Sequence, residues 1–433
     1  ILSGISTRRR LVKKLETNKV YLGNCLDVLK TFPDESIDMC ITSPPYWGLR
    51  DYGTEGQIWG GDSDCEHDFT SSTRKLHSGS WGEKDRALPH QKNATILNWE
   101  VEDKICHKCG AWKGELGLEP TPEMFISNLC DIFDEVGRVL RPHGSCWVNI
   151  GDSYCRNPNQ QDQSGKTGIK TFKYNYNFKH TKKYGSAYKT KSLVQIPSRF
   201  AIEMTNRGWI LRNEIIWHKP SCLPASVRDR YTVDFEKMFF FTKNPKYYFK
   251  QQIEPVKESS LKRAEYGLNQ TDNSQKAVNV QNMKKMGTRF VNPKGRNKRT
   301  VWHVNTASFK DAHFAVYPPE LLESPIDAGC PEFVDKKTGK PRERVIEKHQ
   351  GKVTTYNDKG YNDGRDDKEF EPGIVLDPFF GSGTTAQVAM EQDKDWIGIE
   401  LNSDYEKISQ KRLKPKIVEK KTRDLANKFW DTK

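Results

Sequence analysis

Apolar residues fall along this chain in short blocks that alternate between two spacings. The run "SIDMCIT" (36–42) has the length of a buried strand, "KVYLG" (19–23) reads as another, and "CLDVLKTF" between them has a helical period. Farther on, Phe125, Leu129, Ile132, Phe133, Val136 and Leu140 recur three and four residues apart, which predicts a long helix. Thr121 caps its start with Pro122 in the first turn, and Pro142 and Gly144 mark its stop. "SCWVNIGD" (145–152) follows as a strand, "IPSRFAIEMTNRG" as a helix, and "WILRNEIIWHKP" and "DFEKMFFFTKNPKYYF" as further strands. This alternation predicts an α/β fold: a mostly parallel sheet covered by helices.

Four polar stretches interrupt the pattern. Residues 47–117 are Gly-rich, polar and punctuated by cysteines, an insertion that needs a device to hold it. Residues 155–191 and 256–300 mix lysine and arginine with tyrosine and asparagine, which suits phosphate contact together with base stacking or edge reading. Residues 331–371 carry both signs of charge and read as a surface excursion.

Composition narrows the class of partner. With 433 residues the chain has ample material for a core, as one large domain with insertions or as two. Seventy Lys and Arg against 57 Asp and Glu leave a formal charge of +13, which favours a polyanion through counterion release. No apolar run approaches bilayer length and the N-terminus lacks the apolar core of a secretory signal, so the expectation is a soluble intracellular protein with no membrane partner. Ten cysteines spread over this length do not form a small secreted disulfide framework.

The strongest local signal is "GIVLDPFFGSGTTAQVAMEQDKDWIGIELN" (373–402). A strand ends at Asp377, a Gly381-Ser382-Gly383 turn opens a helix, and a second strand ends at Glu400. That is the layout of a nucleotide-binding unit, in which glycines let the backbone approach the ligand and the later carboxylate takes ribose hydroxyls. A triphosphate loop would place a lysine after the second glycine, where Thr384 and Thr385 stand, so a kinase or ATPase reading weakens.

"DPFFGSGTT" resembles the S-adenosylmethionine loop of amino-group DNA methyltransferases, and "TSPPY" (42–46) resembles their catalytic motif. With the catalytic motif first and the cofactor motif late, the order is similar to the permuted beta-type arrangement of that family. The resemblance extends through "LRPHGSCWVNIGDSY", "EIIWHKP", "SVRDRYT" and "HFAVYPPELL", and covers most of residues 19–413. It implies a Rossmann-like S-adenosylmethionine-dependent methyltransferase fold, with Ser43, Pro44, Pro45 and Tyr46 as catalytic residues. For the cofactor it implies Asp377, Pro378, Phe379, Gly381, Ser382, Gly383, Thr384, Thr385, Glu400 and Asn402. Asn24 departs from the acidic residue that family members often carry near the cofactor adenine.

On this reading the domains are a basic arm (1–18), the first part of the catalytic domain (19–46), the insertion (47–117) and the α/β core (118–250), with its basic loop at 155–191. A candidate target-recognition segment (251–300), the cofactor-binding part (301–413, with the excursion at 331–371) and a basic tail (414–433) complete the chain.

The chemistry asks for such residues. An exocyclic amine is a poor nucleophile because its lone pair is delocalised into the ring. Acceptors on both amino hydrogens let the nitrogen pyramidalise as it attacks, and Ser43 Oγ and the Pro44 carbonyl are natural acceptors, fixed by the proline pair. Tyr46, with Trp47 beside it, offers a face for a flipped base. No Pro-Cys dipeptide is present, which argues against cytosine C5 chemistry.

Cys65 and His67 in "CEHDF", with Cys106 and Cys109 in "CHKCGAW", have the residue types of a tetrahedral zinc site that would staple the insertion. His107 is the alternative to His67, at the cost of adjacency to Cys106.

The expected function is methylation of the N4 amine of a flipped cytosine in DNA. N6-adenine methylation is the alternative, and RNA or protein amide methylation and a non-catalytic nucleic-acid-binding module are the rivals. A paired restriction nuclease is a further expected partner.

Overall fold

The computed structural model describes residues 15–49, 52–70, 72–77, 96–101, 104–155, 188–259, 295–307, 316–350, 354–358, 360–361 and 364–431. The chain divides into two compact units, residues 1–45, 130–152 and 195–433 in the first and residues 46–129 and 153–194 in the second.

The first unit is built on an eight-stranded sheet. Its strands are β1 (Lys19–Leu22), β2 (Ile37–Thr42), β3 (Leu140–Ile150), β4 (Ile210–His218), β5 (Phe235–Thr242), β6 (Val301–His303), β7 (Ile374–Asp377) and β8 (Asp395–Glu400). In space they run β1-β8-β7-β2-β3-β5-β4-β6. Every neighbouring pair is parallel except β3–β5 and β5–β4, so one antiparallel strand breaks an otherwise parallel sheet, as the alternation of elements led one to expect.

Helices are α1 (Cys25–Lys30), α2 (Pro122–Val139), α3 (Ile196–Asn206), α4 (Pro319–Gly329), α5 (Thr384–Glu391) and α6 (Ser403–Asp431). Asn24 Oδ1 accepts the Leu26 N–H and caps α1, and Thr121 Oγ1 accepts the Met124 N–H at the start of α2. All six residues of β2 are buried, as a central parallel strand requires. Met39 and Ile41 join one core with Leu321, Leu322 and Ile326 of α4 and Val388 of α5. Along β5, Phe239 and Phe241 point the other way from Met238 and Phe240 and pack around Phe200, itself against Phe133. Fully burying each such ring is worth on the order of 2–3 kcal/mol.

The turn from α2 into β3 differs from the expected helix stop. β3 begins at Leu140, with no intervening loop. Ile37 pairs with Leu140 and Met39 with Ser145, so a bulge holding Arg141, Pro142, His143 and Gly144 stands opposite Asp38 alone. Arg141 reaches both Asp38 oxygens at 2.8 and 2.9 Å, His143 Nε2 lies 2.9 Å from Oδ1, and the Ile374 N–H donates to Oδ2 at 2.9 Å. The helix ends earlier, at Val139, and Pro142 and Gly144, read as its stop, lie within β3 in the bulge around the buried Asp38 carboxylate.

Two further differences follow from the described residues. The expected tail from 414 continues α6, which runs to Asp431. The excursion at 331–371 has order of its own: Val334–Asp335 pairs with Phe370–Glu371, and Ile346–Gln350 with Thr354–Asp358. Buried Arg342 anchors it, at 2.5 Å from Asp367 Oδ1 and with its guanidinium 4.2 Å from the Phe370 ring centroid. Residues 1–14 of the basic arm (1–18) and most of the two basic stretches (156–187 and 260–294) lie outside the described residues. The stem of the second basic stretch is a short antiparallel pair, Ile253–Glu254 with Arg296–Asn297.

The second unit takes in more than the expected insertion. Gln57–Trp59 pairs with Trp112–Gly114, and Ser72–His77 with Ile96–Val101. The Trp47 indole N–H donates to the Glu119 carbonyl at 3.0 Å and the Ser153 hydroxyl to the Trp47 carbonyl at 2.7 Å, which draws 118–129 and 153–194 into the same unit. Glu119 is buried and accepts from the Gly117 N–H and the Asn128 amide; burial pushes its carboxyl up to about 7. Among the described residues no helix is long and apolar enough to cross a membrane.

Candidate active site

The ends of β2, β7 and β8 carry the two sequence motifs on adjacent strands of the first unit. β7 delivers Asp377, which is fully buried. Thr42 Oγ1, the last residue of β2, donates to Asp377 Oδ1 at 2.6 Å, and the Phe379 N–H donates to the same oxygen at 3.1 Å. Thr385 Oγ1 donates to Oδ2 at 2.5 Å and the Tyr317 hydroxyl to Oδ2 at 2.9 Å, while the two hydroxyl oxygens themselves lie 2.5 Å apart. Burial raises the Asp377 carboxyl above the ordinary range, against the pull of these donors.

After Asp377 the chain turns through Pro378, which is buried, and half-buried Phe379. Phe380 goes into the core, stacked on Trp396 with ring centroids 5.3 Å apart, and lies so close to β8 that a Cβ at Gly398 would come within 2.3 Å of its ring. Gly381 and Gly383 both adopt left-handed backbone, at φ 53° and 80°. Their surroundings differ. A Cβ on Gly381 would meet nothing closer than 4.0 Å, whereas one on Gly383 would come within 3.2 Å of Ser409 and Leu413 on α6. Open space for a ligand therefore adjoins Gly381.

Glu400 closes this turn. Its Oε2 accepts the Gly381 N–H at 2.8 Å and its Oε1 the Asn402 N–H at 2.9 Å, and burial raises its pKa. Asn402 in turn caps α6, accepting the Asp404 N–H at 2.9 Å. Arg412 of α6 reaches back to Ser382 Oγ at 2.9 Å and Thr384 Oγ1 at 2.8 Å. The Ser382, Thr384 and Thr385 hydroxyls thus bond within the protein, and the backbone of the turn and the N-terminus of α5 are what remain for a ligand.

Ser43, Pro44 and Pro45 continue directly from Thr42, so its bond to Asp377 places the start of "SPPY" beside the glycine turn. Tyr46 is the first residue of the second unit. "SVRDRYT" lies in the loop between β4 and β5, where Tyr231 is 95% exposed. Cys65, His67, Cys106 and Cys109 come together within the second unit, one ligand atom from each lying within 4.8 Å of the others; His107 is not in the group.

A family model described as DNA methylase, covering N6 and N4 methyltransferases, matches residues 37–411. The chain belongs to the N6/N4 DNA methylase family. The type II methyltransferase M.SmaI of Serratia marcescens is 28% identical over 410 residues, 94% of this chain and 94% of its own length. M.Cfr9I of Citrobacter freundii, also a type II methyltransferase, is 29% identical over 408 residues, 92% of this chain and 89% of its own. Among solved structures, a PvuII DNA methyltransferase described as cytosine-N4-specific is similar at a TM-score of 0.44 and 15% identity, over 92% of this chain and 86% of that one.

In this DNA methylase, Thr42, Tyr317 and Arg412 carry contacts that sequence reasoning had not assigned. Thr42 and Tyr317 stand inside the quoted segments "TSPPY" and "HFAVYPPELL", so the signal was present and its meaning was not. Arg412 has no local signal, because only the fold of α6 over α5 brings it to the turn.

Proposed function

We propose that this methylase modifies the exocyclic N4 amine of cytosine in DNA with the target base flipped out, using S-adenosylmethionine as donor. One observation carries the reading: the 2.6 Å bond from Thr42 to Asp377 puts the strand end that delivers Ser43 and Pro44 beside the turn that opens at Gly381. The residues suit the cofactor that the family implies. Space adjoins Gly381, the Glu400 carboxylate ends β8 at the turn, and α5 begins directly after the turn, at Thr384. Gly381, Phe379, Glu400 and the amides of Ser382, Thr384 and Thr385 would hold the cofactor, which would supply a methyl group made electrophilic by its sulfonium.

The chain's own part is to hold the amine. Ser43 Oγ and the Pro44 carbonyl accept its two hydrogens, restoring the lone pair to the nitrogen, and the Tyr46 ring stacks on the base. The amine attacks directly, with no covalent enzyme intermediate: the new N–C bond would replace the donor's C–S bond, leaving a neutral thioether, and the amine's extra proton would leave by way of its hydrogen-bond acceptor to solvent. Positioning alone supplies about 7–11 kcal/mol in favourable cases. Serine at 43 supports cytosine, since a hydroxyl both accepts from the amine and donates toward ring N3, whereas an ionised carboxylate only accepts. The exposed loop with Arg228, Arg230 and Tyr231 suits contact with the duplex. The type II names of the relatives support a paired restriction nuclease of the same recognition sequence.

Nuclease digestion and mass spectrometry of DNA methylated in vitro decides the base. N4-methylcytosine is expected; N6-methyladenine as sole product overturns the cytosine assignment and leaves the methylase intact.

A further inference from the structure

The four clustered cysteine and histidine side chains of the second unit take no part in the methyl-transfer reading. We propose that Cys65, His67, Cys106 and Cys109 bind one zinc ion, and that this ion is structural.

Their geometry is close to what the ion demands. The ligand atoms lie within 4.8 Å of one another, and Cys109 Sγ is 3.4 Å from His67 Nδ1. Tetrahedral zinc with ordinary bond lengths sets ligand-to-ligand edges of about 3.6–3.8 Å. Small side-chain movements therefore close the site around a metal. Nδ1 faces the Cys109 sulfur, so an imidazole binding a metal there would carry its proton on Nε2.

The backbone is arranged for thiolates. Cys106 and Cys109 stand on one turn, in which the Gly110 N–H donates to the Cys106 carbonyl at 3.0 Å and the Cys106 N–H to the Ala111 carbonyl at 2.7 Å. The Asp68 N–H donates to Cys106 Sγ at 3.3 Å, as a backbone group around a metal-binding sulfur does. Gly61, at φ 76°, leaves room that a Cβ would take, since that atom would stand 2.7 Å from Cys109 Sγ.

A disulfide accounts for less. All the cysteines are free thiols, and pairing any two of these three strands the third beside His67. On binding, three thiols lose their protons to solvent and the neutral imidazole loses none, so the site carries one net negative charge. All four positions are filled by protein, which leaves no place for water or substrate. The ion instead ties the turn before Cys65 to the turn at 106–111, which runs into Trp112–Gly114 and its partner Gln57–Trp59. Two-stranded pairs of this length are not stable alone, so a metal cross-link is the stabilising element they need.

The test uses the whole chain, purified under reductant and dialysed against a weak chelator. Elemental analysis is expected to find about one zinc per chain. Cobalt exchanged into the wild type should show thiolate charge-transfer and tetrahedral d–d bands. Cys106→Ser should lose the metal, and His67→Cys, which makes a four-sulfur site, should retain it even if the serine variant does not fold. Hydrogen exchange over 57–70 and 104–116 should accelerate when a strong chelator removes the metal. A metal-free protein with these segments protected overturns the proposal, as does iron in place of zinc, or undiminished metal in folded Cys106→Ser.

Discussion

Thr42 and Asp377 stand 335 residues apart in sequence and share a 2.6 Å hydrogen bond at the ends of adjacent parallel strands. One side chain precedes the motif proposed to hold the amine; the other precedes the turn proposed to hold the donor. Their bond fixes one strand end against the other.

Thr42→Val keeps the shape and removes that donor, leaving Oδ1 with the Phe379 N–H. The expected cost is about 1–3 kcal/mol of stability, with turnover and S-adenosylmethionine affinity both reduced. Denaturant melts and calorimetric titration measure these separately. A cycle with Asp377→Asn should give a coupling of about 0.5–3 kcal/mol, and zero coupling shows that the tie has no role.

Gly381 and Gly383 should answer differently to alanine. Gly383→Ala is expected to lose stability first, because its Cβ presses on Ser409 and Leu413 in a left-handed conformation costing about 1–2 kcal/mol. Gly381→Ala carries similar backbone strain and points into open space, so cofactor affinity should fall by more than stability accounts for. Equal losses in both variants argue against a ligand beside Gly381.

Ser43→Ala removes one proposed amine acceptor. Turnover should drop about 10²–10³-fold at unchanged cofactor affinity, the size seen when one preorganised hydrogen-bonding group is lost from a reacting centre. Tyr46→Ala should likewise lose turnover and keep cofactor affinity, with the loss smaller on substrates whose target base is mismatched and already unstacked. A normal rate in either variant removes that residue from the mechanism.

Glu119 sets a pH dependence in the second unit. Burial raises its carboxyl from 4.5 to about 7, so the folded state holds a proton that the unfolded state releases. Stability from this group is complete below pH ~4.5 and is lost as pH rises through about 7, a change of about 3 kcal/mol. Glu119→Gln should abolish that component. Comparing hydrogen exchange of the wild type and the variant at pH 5.5 and 8 isolates it from every other titrating group; identical pH slopes refute it.

The sheet was legible in the sequence because its strands are short apolar blocks and its helices keep a clean period, from "SIDMCIT" to Phe125, Leu129 and Phe133. Asp38 was not. One charged residue inside an apolar run looks like a flaw until Arg141, His143 and the Ile374 N–H converge on it, and those partners lie about a hundred and over three hundred residues away. The glycine turn was equally plain, yet spacing could not show that Gly383 faces α6 and Gly381 faces open space, nor that the Ser382 and Thr384 hydroxyls turn to Arg412. Local motifs announce backbone shape. Side-chain allegiance is decided by what packs from afar.

The pairing of β2 with β7 has a consequence for how the protein is made. β2 is buried along its whole length, and the residues that cover one of its edges, Val375 and Leu376, leave the ribosome more than three hundred positions after it. At about 5–20 residues per second, the interval between Thr42 and Asp377 is roughly 20–70 s of translation. Throughout that time an apolar strand edge is open to other nascent chains, and the centre that would accept a donor does not yet exist. Synthesis rate and chaperone supply thus bear on the yield of active enzyme more heavily than in a fold whose central strands are made together.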